Sequence, residues 1–357
     1  MNYTHLLGQH YEYSGEPHLN LNETQKKYKA LIEEKIKDGV YKLEHPSCPI
    51  CGNNKFECLS TRDRYGLYFP VGICITCGLV QAIERMDNAS YNEFYNLEYR
   101  KLYHGTENPV EFYLKKQYNK GRLIYNYLNR YDNNINSRKF VLEIGCSMGG
   151  ILKYFKDKDW KVKGIDLGEE YIKFGRDKLE VDIEVGTVNS LKLDETPDLV
   201  IINHVLEHLL DPNEDIKKIF SLINSDSIVY VSVLGVKLMP RKKEMDFLRY
   251  IQNAHIFYFS LQTVKNLFSK NGFDLIYGDE GLKAIFKKRS EINDKLTIEN
   301  DFEEMKKGLV EHEKKYMRYS SFPFSIFNIP KDIFIKIRKK YRKNKILTIS
   351  KKIKTNK

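Results

Sequence analysis

From residue 140 onward, short apolar runs alternate with longer stretches whose apolar residues recur every three or four positions. "FVLEI" (140–144), "DLVIIN" (198–203) and "SIVYVSVLG" (227–235) read as strands buried on both faces. "GILKYFKD" (150–157) and "LQTVKNLFSK" (261–270) have helical spacing. This alternation predicts an α/β domain with helices on both faces of the sheet. Upstream, "VEFYLKKQYNKGRLIYNYLNRY" (110–131) predicts an amphipathic helix, and "DNNINS" (132–137) a loop. Tyr91, Tyr95, Tyr99 and Tyr103 recur every four residues, which on a helix makes one stripe. That stripe either packs the preceding segment against the α/β domain or sends one or two phenols into a site.

A different pattern precedes this region. Cys48 and Cys51 form one C-x-x-C pair and Cys74 and Cys77 another, each followed by a glycine, Gly52 and Gly78. The residues between read as strand, turn at Gly66, strand. Two such turns brought together by a hairpin make a zinc ribbon, with Zn2+ held by four thiolates and no open position, so the metal is expected to be structural. Cys58 falls outside the spacing and reads as an ordinary strand residue. The resulting organisation is an N-terminal extension (1–44), the ribbon (45–82), a helical linker or cap (83–135), the α/β domain (136–290) and a helical, basic tail (291–357).

Charge changes the picture in one place. The net charge is +11, and residues 331–357 hold ten Lys, two Arg and one Asp, which equals the whole excess. The body is formally neutral and does not suit nucleic acid. The tail is expected to be a solvated end, with peripheral contact to an anionic membrane surface as the alternative. No run is apolar enough for a membrane span and the N-terminus lacks a signal-peptide pattern, so the expected location is the cytoplasm. Six cysteines there argue for metal rather than disulfides.

The chemistry lies in the α/β region. "FVLEIGCSMGG" (140–150) reads as strand, glycine loop, helix, and a second strand ends at Asp166. Glycines let the backbone approach a ligand, and an acid at the second strand's tip can accept hydrogen bonds from ribose hydroxyls. The order is E-x-G-x-x-x-G rather than G-x-G-x-x-G. Here the sequence resembles the class I S-adenosylmethionine-dependent methyltransferases, whose first motif runs acidic-x-Gly-Cys-Gly-x-Gly. Glu143, Gly145, Cys146 and Gly149 match, and Ser147 replaces the middle glycine. The resemblance runs over about 140–289. It implies a seven-stranded Rossmann-like sheet ending in a hairpin, and S-adenosyl-L-methionine as cofactor. Thr187 and Val188 follow the third strand, beside the adenine in that family, without the acid common there. Asn203 and His204 end the fourth strand at the ligand-binding edge.

Glu207 and His208 lie just past that strand. His208 is expected either to act as general base, with Glu207 orienting it, or to serve structure and cofactor packing. His255 follows an insertion (236–252) expected to form a lid, and is a second base or an aromatic-packing residue. A four-Cys ribbon before such a domain resembles the sugar C-methyltransferases and their surface-polysaccharide relatives, where a Glu–His pair after strand four is implicated in catalysis. Their further C-terminal domain has no counterpart in the roughly 65 residues after 290. Methyl transfer to a saccharide or nucleotide-sugar oxygen is therefore the expected reaction. Sugar C-methylation, RNA methylation and non-catalytic cofactor binding are the alternatives. The oligomeric state is open.

Overall fold

The structure, a computed structural model, describes residues 6–107, 110–131, 134–237, 246–290 and 298–320. The basic segment 331–357 and part of the expected lid, residues 238–245, lie outside the described residues. An N-terminal strap leads into helix α1 (Glu23–Lys37), opened by an Asn22–Gln25 capping box. Strand β1 (Leu43–Glu44) precedes an antiparallel set, β2 (Phe56–Arg62), β3 (Tyr68–Cys74) and β4 (Val80–Ala82), and β5 (Arg85–Met86) pairs back onto β1. The predicted turn at Gly66 is present, with φ +82. Asp63 fixes it: one carboxylate oxygen accepts from the backbone N–H of Tyr65 and Leu67.

Helix α2 (Asn88–Phe94), a π-turn (Tyr95–Tyr99) and α3 (Arg100–His104) form a broken helical run, ended by Gly105 in the left-handed region. Helix α4 (Val110–Tyr131) is the predicted amphipathic helix. The α/β layer then follows as β6 (Phe140–Ile144), α5 (Gly150–Lys156), β7 (Lys161–Asp166), α6 (Glu169–Leu179), β8 (Ile183–Val185), β9 (Leu199–Asn203), α7 (Pro212–Leu222) and β10 (Ile228–Ser232). After β11 (Phe257–Tyr258) come α8 (Leu261–Lys270), β12 (Phe273–Asp279), β13 (Lys283–Lys288) and α9 (Phe302–Ser320). From Lys314 the chain belongs to a second unit, of which residues 314–320, the end of α9, are described.

Seven strands form one sheet in the order β12-β13-β10-β9-β6-β7-β8. Pairings among β10, β9, β6, β7 and β8 are parallel, while β13 runs antiparallel to β10 and β12. The strand order reverses at β6, where β7 and β9 flank it on opposite sides. That reversal opens a crevice at the strands' carboxyl ends.

One pairing was not legible beforehand. Strand β11 lies between the fifth strand of the large sheet and α8 in sequence, yet it pairs with β4, Phe257 opposite Gln81 and Tyr258 opposite Val80. The cysteine hairpin therefore shares a four-stranded sheet with a segment of the α/β layer. A continuous apolar core follows, in which Val71 and Val80 belong to the same cluster as Phe257, Val229 and Phe268.

Candidate functional site

The carboxyl ends of β6, β7 and β9 open onto a cavity of about 1170 Å³. Eleven of the predicted cofactor-binding and catalytic residues line it: Glu143, Gly145, Ser147, Asp166, Thr187, Val188, Asn203, His204, Glu207, His208 and His255. Cys146 and Gly149, predicted cofactor contacts, do not. The Cys146 side chain sits in the core with Leu152 and Val162, so close to β7 that a Cβ on Gly164 would meet its Sγ at 2.8 Å. Gly149, at φ +76, caps α5 where a Cβ would strike Val181 at 2.7 Å. Both shape the loop from behind.

The loop's front is Gly145 and Ser147. Gly145 takes φ +69, and a Cβ there would meet Val205 Cγ2 at 2.2 Å, so no other residue fits. Ser147, in the place of a family glycine, keeps the left-handed backbone at φ 50. Its N–H donates to Asp166 Oδ2 at 2.9 Å. Asp166 Oδ1 accepts from Gly168 N at 2.7 Å and from Arg100 Nη2 at 2.9 Å. Arg100 also lies 3.8 Å over the Tyr171 ring. Sequence reasoning missed Arg100, because nothing within "EYRKLYHG" signals that α3 folds over β7. Glu143 is buried, and burial, followed by the nearby charge of Asp166, holds its pKa well above the ordinary carboxylate value. Its Oε2 and the Asn203 Oδ1 have no hydrogen-bond partner.

Glu207, His208 and His255 each place one ligand atom within 4.8 Å of the others. His208 Nδ1 lies 2.8 Å from the Ala254 carbonyl oxygen. A carbonyl only accepts, so Nδ1 carries the proton and Nε2 is the basic nitrogen. His255 takes the same tautomer, but its Nε2 is already occupied. Gln252 Oε1 accepts from Arg64 at 2.5 Å, so its amide nitrogen donates to His255 Nε2, also at 2.5 Å. Burial lowers the His208 pKa against the opposing pull of Glu207. Burial, then His208, lowers that of His255 well below its ordinary value. Both rings are neutral at pH 7. Burial alone would raise Glu207, but its 3.1 Å bond to His204 Nδ1 and the charge that His204 and His208 carry when protonated outweigh it, and its pKa is lowered. Glu207 Oε2 has no partner.

All four stripe tyrosines line the cavity, so the reading in which phenols reach a site is the one the structure bears out. Tyr95 and Tyr99 stack at 4.8 Å, and their rings lie 5.8 and 5.5 Å from His208. The π-turn sets this arrangement, and buried Glu98 anchors it through Tyr41 Oη at 2.5 Å and Lys35 Nζ at 2.8 Å. Hydrogen bonds to a charged group contribute about 1.5–3 kcal/mol each.

The four cysteines come together on the far side of the hairpin and none lines the cavity. Their sulfurs lie within 4.8 Å of one another, with Cys48–Cys77 and Cys51–Cys74 at 3.4 Å. A zinc–sulfur distance of about 2.3 Å in a tetrahedron places sulfurs ~3.8 Å apart, so the set suits such an ion. Gly52 and Gly78 take positive φ, as expected, and donate back to the Cys48 and Cys74 carbonyls.

Residues 116–277 match the sequence model of a methyltransferase domain. The (S)-tetrahydroprotoberberine N-methyltransferase of Eschscholzia californica is 30% identical over 105 residues, 27% of this chain and 30% of that protein. The chain thus spans under a third of that curated relative. Among solved structures, the PH0226 protein of Pyrococcus horikoshii is 16% identical with a TM-score of 0.43, over 54% of this chain and all of that one. The magnesium protoporphyrin IX methyltransferase of Synechocystis PCC 6803 is 17% identical with a TM-score of 0.41, over 57% and 100%.

If the thiolates hold zinc, the purified protein carries one equivalent by atomic absorption. Chelation, or Cys77→Ser, then lowers Tm by on the order of 10 °C. A metal-free protein with an unchanged melting curve would refute the assignment.

Proposed function

We propose, on the premise that residues 116–277 are a methyltransferase domain, that this chain transfers a methyl group from S-adenosyl-L-methionine to a saccharide hydroxyl. The residues present suit that cofactor. Gly145 leaves room for close backbone approach, Asp166 stands where ribose hydroxyls are bound in the family, and the orphaned oxygens of Glu143 and Asn203 are acceptors a bound ligand can satisfy. Thr187 and Val188 offer the adenine side of the same cavity. When bound, the cofactor supplies a methyl group on a sulfonium, an already good leaving group.

The chain's own task is to hold the acceptor in line and take up its proton. The observation that carries the reading is the His208–Ala254 hydrogen bond. It commits Nε2 to accept a proton from an acceptor hydroxyl, and lowering of the pKa by burial keeps that nitrogen free at neutral pH. His255 is less suited, because its Nε2 lone pair already receives the Gln252 amide. Glu207 favours the imidazolium formed as the proton arrives. The stacked faces of Tyr95 and Tyr99 offer an apolar platform for a sugar ring beside His208. The four-cysteine segment before the domain supports the saccharide class by family resemblance.

The N-methyltransferase relative raises a second reading, an amine acceptor. A tertiary amine has no proton to lose, so a tautomer-fixed base would have no task with that kind of acceptor. The formally neutral residues 1–330 weigh against RNA.

The test is transfer of labelled methyl into a panel of nucleotide sugars and cell glycans. His208→Ala should lower kcat by about 10²–10⁴-fold with little change in affinity for S-adenosylhomocysteine. In the wild type, kcat/KM should fall as pH drops through a value below the ordinary histidine value of about 6.5, since protonation removes the base. A His208→Ala variant that keeps the wild-type kcat would remove His208 from the reaction. Asp166→Ala should weaken S-adenosylhomocysteine binding at least tenfold by calorimetry, and unchanged binding would exclude it from the cofactor site.

A further inference from the structure

The arginines around the cavity differ in how their charge is met. Arg85 donates to Glu44 at 2.9 Å and Arg100 to Asp166 at 2.9 Å. Arg64, at the end of β2, has no carboxylate partner among the described residues. One Nη donates to the Arg249 carbonyl at 3.1 Å, and the other to Tyr65 Oη at 2.7 Å and Gln252 Oε1 at 2.5 Å. Its Nε is buried and unpartnered. The neighbouring acid, Asp63, spends its oxygens on the backbone N–H of Tyr65, Leu67 and Asn253. Asp63 acts on the buried guanidinium through space but forms no ion pair with it, so a ligand oxyanion would supply the direct charge contact that Arg64 lacks.

Its position says which ligand. Arg64 lines the cavity and connects through Gln252 to His255, whose ring lies 4.8 Å from that of His208. On its other side it lies 5.4 Å from the ring of Tyr103, the next tyrosine after Tyr99 in the stripe beside His208. Both routes place Arg64 on the histidine and tyrosine side of the cavity. We propose that Arg64 binds an oxyanion carried by the acceptor, a phosphate ester or a carboxylate. The acceptor is then an acidic saccharide, anchored by its charge while a hydroxyl reaches His208. This deepens the saccharide reading and rests on it.

The full-length protein, loaded with S-adenosylhomocysteine, is titrated calorimetrically with inorganic pyrophosphate and, separately, with glucuronate. At least one should bind. Tighter pyrophosphate binding points to a phosphorylated sugar, and tighter glucuronate binding to a uronic acid. Arg64→Gln should weaken that binding at least tenfold. Arg64→Lys, which keeps the charge and loses the planar fork, should fall between. S-adenosylhomocysteine affinity should stay unchanged in both. If Arg64→Gln also loses that affinity through misfolding, Arg64→Lys decides. The proposal is overturned if neither anion binds the wild type, or if a variant that retains S-adenosylhomocysteine binding takes up the anion as well as the wild type does. Methyl transfer to neutral sugars alone would overturn this inference and leave the methyltransferase reading standing. Arg64-dependent anion binding without transfer to any saccharide would overturn the acceptor class instead.

Discussion

The carbonyl oxygen of Ala254 accepts two hydrogen bonds, from His208 Nδ1 and from the phenol of Tyr91, both at 2.8 Å. The first decides which imidazole nitrogen is basic. The second ties the start of the tyrosine run to the same atom. Neither partner is near Ala254 in sequence, so the orientation of the histidine depends on where segment 252–258 is held. Backbone bonds hold it: Ile256 N to Glu207 O, Ala82 N to Ile256 O, and the β11–β4 pairing.

The cysteine hairpin, which reaches the cavity through Arg64, thus also helps to place His208. Its β4 supports β11, and its Asp63 accepts from Asn253 N. A metal in the four-sulfur cluster would stiffen the sheet that fixes Ala254. The opposite wall is the π-turn. Extra residues in a helical turn rotate the following side chains, and here they leave Tyr95 and Tyr99 stacked beside His208. Buried Glu98 holds the turn from behind.

Electrostatics divide the cavity. Two acids, Glu143 and Asp166, stand at the glycine-loop end. Neutral histidines, phenols, Arg64 and the carboxylate of Glu207 stand at the other. Desolvation acts on both ends in the same sense, penalising charge, so it raises the pKa of Glu143 and lowers those of His208 and His255.

Local patterns carried the reading of the α/β region. Period and glycine placement announced β6, the loop, β7 and Asp166, because a strand–turn–helix unit is specified by residues close in sequence. The paired C-x-x-C turns were legible for the same reason. Sequence alone placed Cys146 and Gly149 at the ligand, whereas packing against Gly164 and Val181 puts them behind the loop. It gave no sign that Arg100 meets Asp166, that Gln252 links Arg64 to His255, or that Ala254 sets the tautomer of His208. Those contacts join residues between 3 and 188 positions apart through side-chain direction and strand register. Only the folded chain, by bringing β11 against β4, determines which of them exist.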